Sequence, residues 1–539
     1  MQITSRRRAF IVGAAALASA GLISSQSALA SSSVHLTSVA ANDKVVGYSA
    51  PNVLSPELTQ ILLAQGSNKL ENPSGIVTNY GYVNDGPFLP ALGTNTEAHK
   101  TEPDKNTYLV LSGQHVADPN YWYGAHFLFQ GHETGPAGYI TRINLDADAA
   151  HRVTLFASQD SSGVGLPTFD GSSFDPFSKT LLFTTESRSK VGVYEAGLNF
   201  DGSTASVHDL GGSLGRAAYE GVQADSAGNL WLAEDASGAT VAGAKQPASY
   251  LYRFVPTNPA DLTKGKLQAL QILDTSGTPI TTDPTTPLTP QIAQRYTYDN
   301  KLATRWVTVH DTSVDGTAVF DAFAGATTAK ATPLKRPENG VFRPGSKFGE
   351  FYYTETGDTS ATSTANPDVN PSGTNYGGYG GIFKVVQKNP SADTGYVQLV
   401  YTGDKFHAGF DNVSFLTRDQ LLIVEDAGDT LHTQRAKLDS GYALDVTKDW
   451  STGAAPTRFL GEGRDASATV DSALFGSAGF PNEGDNEITG IIVSDGNPTI
   501  KGLYGADVPK PFHDGWRVFW TQQHGDNNTF EIIPAAQGR

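Results

Sequence analysis

Two acidic residues, Glu338 and Glu355, are spaced so that a single β-hairpin would bring them together. Glu338 precedes Glu355 by 17 residues, and a turn signal, Pro344–Ser346, lies between them. Residues near the two open ends of a hairpin meet, because antiparallel neighbours lie side by side. We therefore expect both acids and Arg336 to crowd one end of a hairpin, as either a binding site or a solvated surface salt bridge.

The pairing of a leading acid with a closing acid recurs along the chain. The closing acid follows after 14 to 16 residues in three further strand pairs, namely Asp170 with Glu186, Glu220 with Glu234, and Asp411 with Glu425. A more distant copy runs from Glu487 to Gln523-His524, and a partial copy ends in His132-Glu133. Six sheet-forming units in series predict a β-propeller, because internal repeats indicate repeat architectures.

A propeller would gather the recurring acids at its centre. The equivalent strand of each blade lines a central channel, so the acids would form a ring of like charges. Ca²⁺ would relieve the repulsion within such a ring, because it takes about six to eight oxygen ligands. The predicted metal ligands are Asp170, Glu186, Glu220, Glu234, Glu338, Glu355, Asp411, Glu425 and Glu487, with amide oxygens from Asn339, Asn412 and Asn486. The alternative is that these acids cap separate hairpins in solvent.

Arg336 distinguishes its repeat from the others. It places a guanidinium two residues before a predicted metal ligand, Glu338. A guanidinium can grip phosphate through two parallel hydrogen bonds, so Arg336 is the predicted phosphate contact. A simple ion pair with Glu338 or Glu355 is the alternative.

Composition favours strands and turns over helices. The chain has 57 Gly, 29 Pro and 10% aromatic residues. We predict an all-β fold, a propeller of about six blades with long inserted loops and a few short helices. Residues 31–105 are predicted as an N-terminal wrapping segment with a short helix near Pro56–Gln65. Residues 106–539 are predicted as the propeller, with either an unrecognised blade or an insertion near 257–335 and a helix near Pro290–Lys301.

Residues 1–30 have the features of a cleavable export signal. Arg6-Arg7-Arg8 precede an apolar run of 13 residues, too short to span a bilayer, and Ala28-Leu29-Ala30 follows. Paired arginines at this place indicate the twin-arginine route, so the Tat translocase is a predicted partner during export. We expect a periplasmic or secreted protein with no membrane association after cleavage. The absence of cysteine fits an oxidising destination without disulfides.

The net charge of the chain limits the classes of partner that it can bind. The formal net charge is −17 at pH 7. Nucleic acid is therefore excluded as an expected partner, because its phosphates repel an acidic surface. We predict a monomer that acts on a small molecule.

A series of short motifs resembles the PhoX-type alkaline phosphatases. Matches occur in order from His126 to Gly525 and cover most of the chain. They are Gly215-Arg216 with Tyr219-Glu220-Gly221, Leu232-Ala233-Glu234-Asp235, Tyr252–Pro256, Arg336-Pro337-Glu338, Phe410-Asp411-Asn412, Glu425–Gly428, Glu487–Gly490 and Gln523-His524-Gly525. The resemblance implies an exported β-propeller phosphomonoesterase whose central site holds calcium and a pair of irons.

The resemblance also implies roles for single residues. Glu220 and Glu338 would bind the inner metals, with Asp411 and Glu487 as further ligands, and Arg336 would contact phosphate. Arg216 is assigned to phosphate binding as well. The catalytic assignments are Arg336, Glu338 and His524, the last as a proton donor to the leaving group or a metal ligand. A hydrogen-bonded strand-end histidine is the alternative for His524.

The sequence departs from the family pattern at the cysteine that bridges the two irons. The chain has no cysteine, and near the expected place it offers Asp170 in Phe169–Ser173. Loss of a thiolate shifts preference towards hard cations. Calcium is therefore the predicted cofactor, and Fe³⁺ or another transition metal is left open.

The leading hypothesis is a metal-dependent exported phosphatase that hydrolyses phosphate monoesters at a central multi-metal carboxylate site. One alternative is a calcium-dependent, lactonase-like propeller hydrolase, which needs a carboxylate cage but no arginine clamp. The other is a non-catalytic, calcium-stabilised propeller binding module, which the missing cysteine favours.

Overall fold

The structure is a computed structural model that describes residues 33–44, 50–81, 101–115, 117–135, 137–188, 190–198, 206–282, 285–358, 374–463, 487–523 and 527–536. The chain divides into two units, residues 1–32 and 33–539, and every described residue belongs to the second. The predicted export signal, Asn486 and His524 lie outside the described residues. Their assignments stay predictions.

The protein is an all-β propeller. Its described strands form six four-stranded antiparallel units, which we number blades 1 to 6 in chain order. Blade 1 comprises Pro103–Val110, His126–His132, Ile140–Asn144 and Val153–Ala157; blade 2 comprises Ser172–Asp175, Thr180–Phe183, Tyr194–Gly197 and Val207–Asp209; blade 3 comprises Tyr219–Ala224, Leu230–Glu234, Leu251–Asn258 and Asp261–Ile272. Blade 4 comprises Gly340–Phe342, Glu350–Glu355, Gly381–Gln387 and Thr394–Thr402; blade 5 comprises Phe410–Phe415, Gln420–Glu425, Ser440–Asp445 and Thr457–Gly461; blade 6 comprises Glu487–Ser494, Arg517–Gln523, Asn528–Pro534 and Leu58–Ala64.

The N-terminal segment completes blade 6 and adds a short edge strand to blade 5. Leu58–Ala64 pairs antiparallel with Asn528–Pro534, and Val53–Leu54 pairs with Thr457–Gly461 at the edge of blade 5. The predicted helix near Pro56–Gln65 is therefore wrong. The open edge of blade 6 offers a full set of backbone hydrogen bonds, and this tertiary pairing overrides local helix preference. Blade 1 begins at Pro103, so residues 103–105 belong to the propeller rather than to the wrapping segment.

The long interval between blades 3 and 4 contains a bridging strand. Leu302–Asp311 pairs with Asp261–Ile272 on one side and with Thr394–Thr402 on the other. The two blades thus share one nine-stranded sheet. The described α-helices of this interval are Pro290–Ala293, Thr312–Asp315 and Ala322–Thr328. The first of them continues as a 3-10 turn, Gln294–Tyr296. A helix does begin at Pro290, where proline suits the first helical position.

A few other elements lie between the blade strands. They are the hairpin Thr240–Val241 with Ala244–Lys245, the helix Gly428–Arg435, and the 3-10 turns Ala149–His151 and Ile500–Gly502. Among the described residues, no helix has both the length and the apolar character needed to cross a bilayer.

The first strand of each blade contacts the first strands of both neighbouring blades, which closes a ring. Glycines after the leading acids permit this close approach. A Cβ at Gly171 would lie 2.5 Å from the carbonyl oxygen of Glu220, and one at Gly221 would lie 2.6 Å from that of Glu338. A larger residue would push the strands apart, so the acid-glycine step of the repeat follows from the packing of the ring.

The predicted hairpins are present. Tyr219 lies opposite Glu234, Phe410 lies opposite Glu425, and Gly340 lies opposite Tyr353. Aromatic side chains fill the space between blades 3 and 4. Trp231 is buried and packs against Trp306, Phe342 and Phe351. This packing fixes the orientation of the first strands that carry the acids.

Candidate metal centre

Carboxylates from several blades meet where the first strands converge. In the described part of the chain, three groups each bring one oxygen per residue within 4.8 Å of one another. The groups are Glu133 with Asp170 and Glu186, Glu186 with Glu220 and Asp235, and Glu220 with Glu338 and Asp411. Because Glu186 and Glu220 each belong to two groups, the seven residues form one continuous cluster. We call it the carboxylate hub.

Threonine hydroxyls tie the hub acids of neighbouring blades together. Thr354 Oγ1 of blade 4 donates to the carbonyl oxygen of Asp411 at 2.6 Å. Thr184, which follows the second strand of blade 2, donates to the carbonyl oxygen of Glu220. These two links hold the backbones of Asp411 and Glu220 against the neighbouring blades.

The structure brings five of the predicted metal ligands into the hub, namely Asp170, Glu186, Glu220, Glu338 and Asp411. Glu487 lies beside it. Its carboxyl group shares a hydrogen bond with Asp426, whose oxygen lies 3.8 Å from Arg336 Nη2. That these residues bind metal stays a prediction.

Three predicted ligands, the closing acids of blades 3, 4 and 5, lie apart from the hub because each of them has an arginine partner. Glu234 accepts from Tyr252 Oη at 3.0 Å and lies 3.4 Å from Arg188. Glu355 forms a buried ion pair with Arg295. The third, Glu425, accepts from Arg435 Nη1 at 3.0 Å. These ion pairs hold the three carboxylates away from the groups that form the hub, and their assignment as metal ligands stays a prediction.

For Glu234 and Glu425, the residue that follows in the chain lies closer to the hub than the glutamate does. Successive side chains of a strand point to opposite faces, so Asp235 faces the hub when Glu234 does not. Asp426 likewise reaches Arg336 beside Glu425. Sequence reasoning missed both aspartates. The available signal was the Glu-Asp pair that ends each of these two strands.

Arg336 points into the hub. It has a left-handed backbone, with φ of 54°, and its side chain is 16% exposed. Asp235 accepts from Nε at 2.8 Å and from Nη2 at 2.6 Å. Glu338 Oε1 lies 3.2 Å from Nη2. Burial lowers the pKa of Arg336, but the surrounding carboxylates raise it more, so the guanidinium carries a fixed positive charge.

Lys105 is a residue beside the hub that sequence reasoning missed. Its side chain is buried, and Nζ donates to Asn339 Oδ1 at 3.0 Å. Burial lowers the pKa of Lys105 to about 8, although Asp411, Glu220 and other carboxylates oppose the shift. No repeat pattern marks this lysine, because it lies on the first strand of blade 1, where the repeat is incomplete.

The amide of Asn339 has a defined orientation. An ammonium only donates, so the Asn339 atom that faces Lys105 must be oxygen. Its nitrogen then donates to Glu220 at 2.6 Å and to Asp411 at 3.3 Å. The Asn339 oxygen is thus directed at Lys105, and the expectation that it also binds a metal stays a prediction. Asn412 donates its nitrogen to Asp411, and its buried oxygen has no hydrogen-bond partner within the described ranges.

Arg216 has a partner of its own. Its Nη1 donates to Asp209 at 2.6 Å, and Nη2 donates to the second oxygen of the same carboxylate. The bidentate pair joins the end of blade 2 to the segment before blade 3. The structure does not bring Arg216 to the carboxylate hub.

The electrostatics of the hub favour a cation. Burial first, and then neighbouring carboxylates, raise the pKa values of Asp170, Glu220, Glu338 and Asp411 well above the ordinary range. Both oxygens of Glu338 and one of Asp170 are buried without a hydrogen-bond partner among the described residues. A hard cation would satisfy these oxygens and relieve the repulsion. The all-oxygen donor set fits calcium, and it offers no thiolate for a bridged iron pair.

Comparison with protein families identifies the chain. The family described as alkaline phosphatase PhoX matches residues 212–499, more than half of the sequence. The chain belongs to this family. The matched PhoX region contains Glu220, Arg336, Glu338 and Asp411 at the hub, whereas Lys105 and Asp170 precede it. No curated protein matches the chain in sequence.

A solved structure of a PhoX protein resembles this chain in fold. A structure of Pseudomonas fluorescens PhoX in complex with vanadate, a transition-state analogue, has a TM-score of 0.56 and 12% identity. The alignment covers 93% of this chain and 98% of that one. An apocarotenoid oxygenase of Synechocystis has a TM-score of 0.26 and 10% identity, over 80% of this chain and 89% of that one. A hydrolase of Bacteroides ovatus has a TM-score of 0.27 and 10% identity, over 67% and 84%.

Membership of the PhoX family assigns the chemical class. The protein is a metal-dependent phosphoric monoester hydrolase, and its hub of acidic groups is compatible with the metal that such an activity needs.

Proposed function

We propose that this protein hydrolyses phosphate monoesters at the carboxylate hub, with calcium as its metal. The observation that carries the proposal is the geometry of Arg336. Its guanidinium lies 3.2 Å from Glu338, a buried carboxylate whose oxygens have no hydrogen-bond partner in the described ranges. A cation at Glu338 and a guanidinium beside it together suit a phosphoryl group, which spreads its charge over several oxygens.

The hub would hold the metal through carboxylate oxygens. The ligands that we propose are Glu133, Asp170, Glu186, Glu220, Asp235, Glu338 and Asp411, with Glu487 beside them. When bound, the metal neutralises the negative charge that develops on the phosphoryl oxygens. Fe³⁺ held by oxygen alone is the second metal to test, because the chain has no cysteine.

Arg336 binds and orients the phosphoryl group. Asp235 accepts two hydrogen bonds from it and so fixes the plane of the guanidinium. His524 is proposed as the proton donor to the leaving group. It follows Gln523, whose side chain donates to Asp104 and to Glu133 at 2.9 Å, so the end of this strand lies beside the hub.

We place the protein outside the cytoplasm. Residues 1–30 combine paired arginines, a short apolar run and an Ala-Leu-Ala cleavage sequence, which together support twin-arginine export. Replacement of Arg6 and Arg7 by lysine should retain the protein in the cytoplasm. Cell fractionation tests this, and unchanged export of the variant would contradict it.

The activity is tested with a chromogenic phosphate monoester. We expect turnover by the purified protein in calcium, loss of turnover after chelation, and recovery when calcium returns. Glu338→Gln should reduce kcat/KM by about 100-fold or more, because it removes a charge at the reacting centre. Glu350→Gln is the matched control, since Glu350 lies on the same hairpin but pairs with Arg343. Absence of turnover with calcium and with iron, or full turnover after chelation, would contradict the proposal.

A further inference from the structure

Lys105 is a buried lysine that the proposed reaction does not use. It is the third residue of the first strand of blade 1, and only 2% of it is exposed. A lysine is rarely buried this fully without a specific partner. Its position at the centre of the propeller therefore needs a physical reason.

An amide anchors the ammonium. Nζ donates to Asn339 Oδ1, and none of the ion pairs within 4.0 Å in the described part of the chain includes Lys105. Four carboxylates nevertheless act on its charge from further away, namely Asp411, Glu220, Asp104 and Asp170. The ammonium thus lies among several acids and belongs to no single one of them.

The Asn339 amide links the Lys105 ammonium to two carboxylates of the hub. Because its oxygen accepts from Lys105, its nitrogen donates to one oxygen of Glu220 and one of Asp411. These are two of the three residues in the Glu220, Glu338 and Asp411 group. The lysine and the amide together place a positive charge and two N–H donors beside oxygens that a metal ion would otherwise contact.

We propose, on the basis of the proposed function, that Lys105 is a built-in counter-cation that takes the place of an additional metal ion beside Glu220 and Asp411, next to the ion proposed at Glu338. A nearby ammonium repels a divalent cation, and this repulsion is strong in a buried site where the dielectric response is weak. The chain therefore binds fewer calcium ions than its carboxylates could hold without the lysine. The remaining acids of the carboxylate hub keep their need for metal.

Lys105→Met tests the inference, because methionine has a similar length and no charge. Metal analysis of protein equilibrated in saturating calcium gives the number of ions per chain, and calorimetric titration gives their affinity. We expect one additional calcium ion per chain, or a rise of about tenfold or more in the affinity of the weakest site. Lys384→Met, on the third strand of blade 4, is the matched control and should leave both values unchanged.

The readout is metal content, so this inference and the proposed function can fail separately. Wild-type protein that binds no metal would contradict the proposed function. Wild-type protein that binds calcium, with a Lys105→Met variant of equal or lower stoichiometry and affinity, would overturn only the inference. Lys105→Gln is the second variant. Failure of both variants to fold in saturating calcium would also overturn it, because an extra calcium ion should replace the lost charge.

Discussion

Lys105 Nζ and Asn339 Oδ1 lie 3.0 Å apart, and this contact joins the first strand of blade 1 to the residue that precedes the first strand of blade 4. Blades 1 and 4 are opposite members of the ring of six. The contact therefore crosses the centre of the propeller and fixes the direction of the Asn339 amide, on which the hydrogen bonds to Glu220 and Asp411 depend.

Asn339→Asp should destabilise the metal-free protein. The substitution replaces an N–H donor by a carboxylate oxygen that faces Glu220 and Asp411, so two hydrogen bonds become repulsions. We expect a loss of about 2 kcal/mol in the free energy of unfolding, largely recovered in saturating calcium. Urea unfolding with and without calcium measures it, and Asn120→Asp, at an exposed position, is the control. Equal stability of the variant and the wild type in metal-free buffer would show that the orientation of the amide is unimportant.

Arg336→Ala should impair phosphate recognition. We expect kcat/KM for a phosphate monoester to fall by about 100-fold or more, as when a transition-state donor is removed. Arg336→Lys should recover only part of this loss, because an ammonium lacks the two-pronged geometry. Inhibition by inorganic phosphate should weaken in parallel. Arg343→Ala removes an arginine of the same hairpin, paired with Glu350 and Asp419, and should have little effect on kinetics.

Glu355→Gln should affect stability without affecting metal content. Glu355 pairs with Arg295 and accepts from Tyr296 Oη at 2.6 Å, all of them buried. Breaking one partner of such a pair costs about 3 kcal/mol or more, because a buried charge is left uncompensated. Glu220→Gln should instead lower the calcium content. A reduced calcium content in Glu355→Gln would return this residue to the set of ligands.

Arg216→Gln should lower stability at neutral pH and leave kcat/KM unchanged. Burial raises the pKa of Asp209, but hydrogen bonds, chiefly from Arg216, lower it more, so the pKa lies below the ordinary value of an aspartate. A lowered carboxyl pKa contributes stability above its unfolded value, and this contribution disappears as the pH falls through the folded value. The expected cost is about 1 kcal/mol at neutral pH, because the pair is partly exposed.

Unfolding of Arg216→Gln at neutral pH and below pH 3.8 checks the sign, since the difference from wild type should shrink in acid. A difference that grows in acid would contradict it. A rise in KM would instead support the predicted role of Arg216 in phosphate binding.

The sequence by itself determined the repeat. A leading acid, a strand, a turn and a second strand recur often enough to specify six units. The leading acids Asp170, Glu220, Glu338 and Asp411 recur at one repeat position, and a ring of blades must place one repeat position at one radius. Their convergence therefore follows from the pattern, and the structure brings these four into one cluster.

Only the tertiary structure decided which residues share that cluster in detail. Glu234 and Asp235 are adjacent in sequence, but only Asp235 belongs to the hub. Glu234 pairs instead with Arg188 of blade 2. Lys105 meets Asn339 across 234 residues of chain, and Leu58–Ala64 becomes a strand because the C-terminal blade leaves an open edge. Residues that meet from such distant parts of the chain leave no local sequence pattern. The neighbouring blade determines how a strand pairs and which charges are compensated.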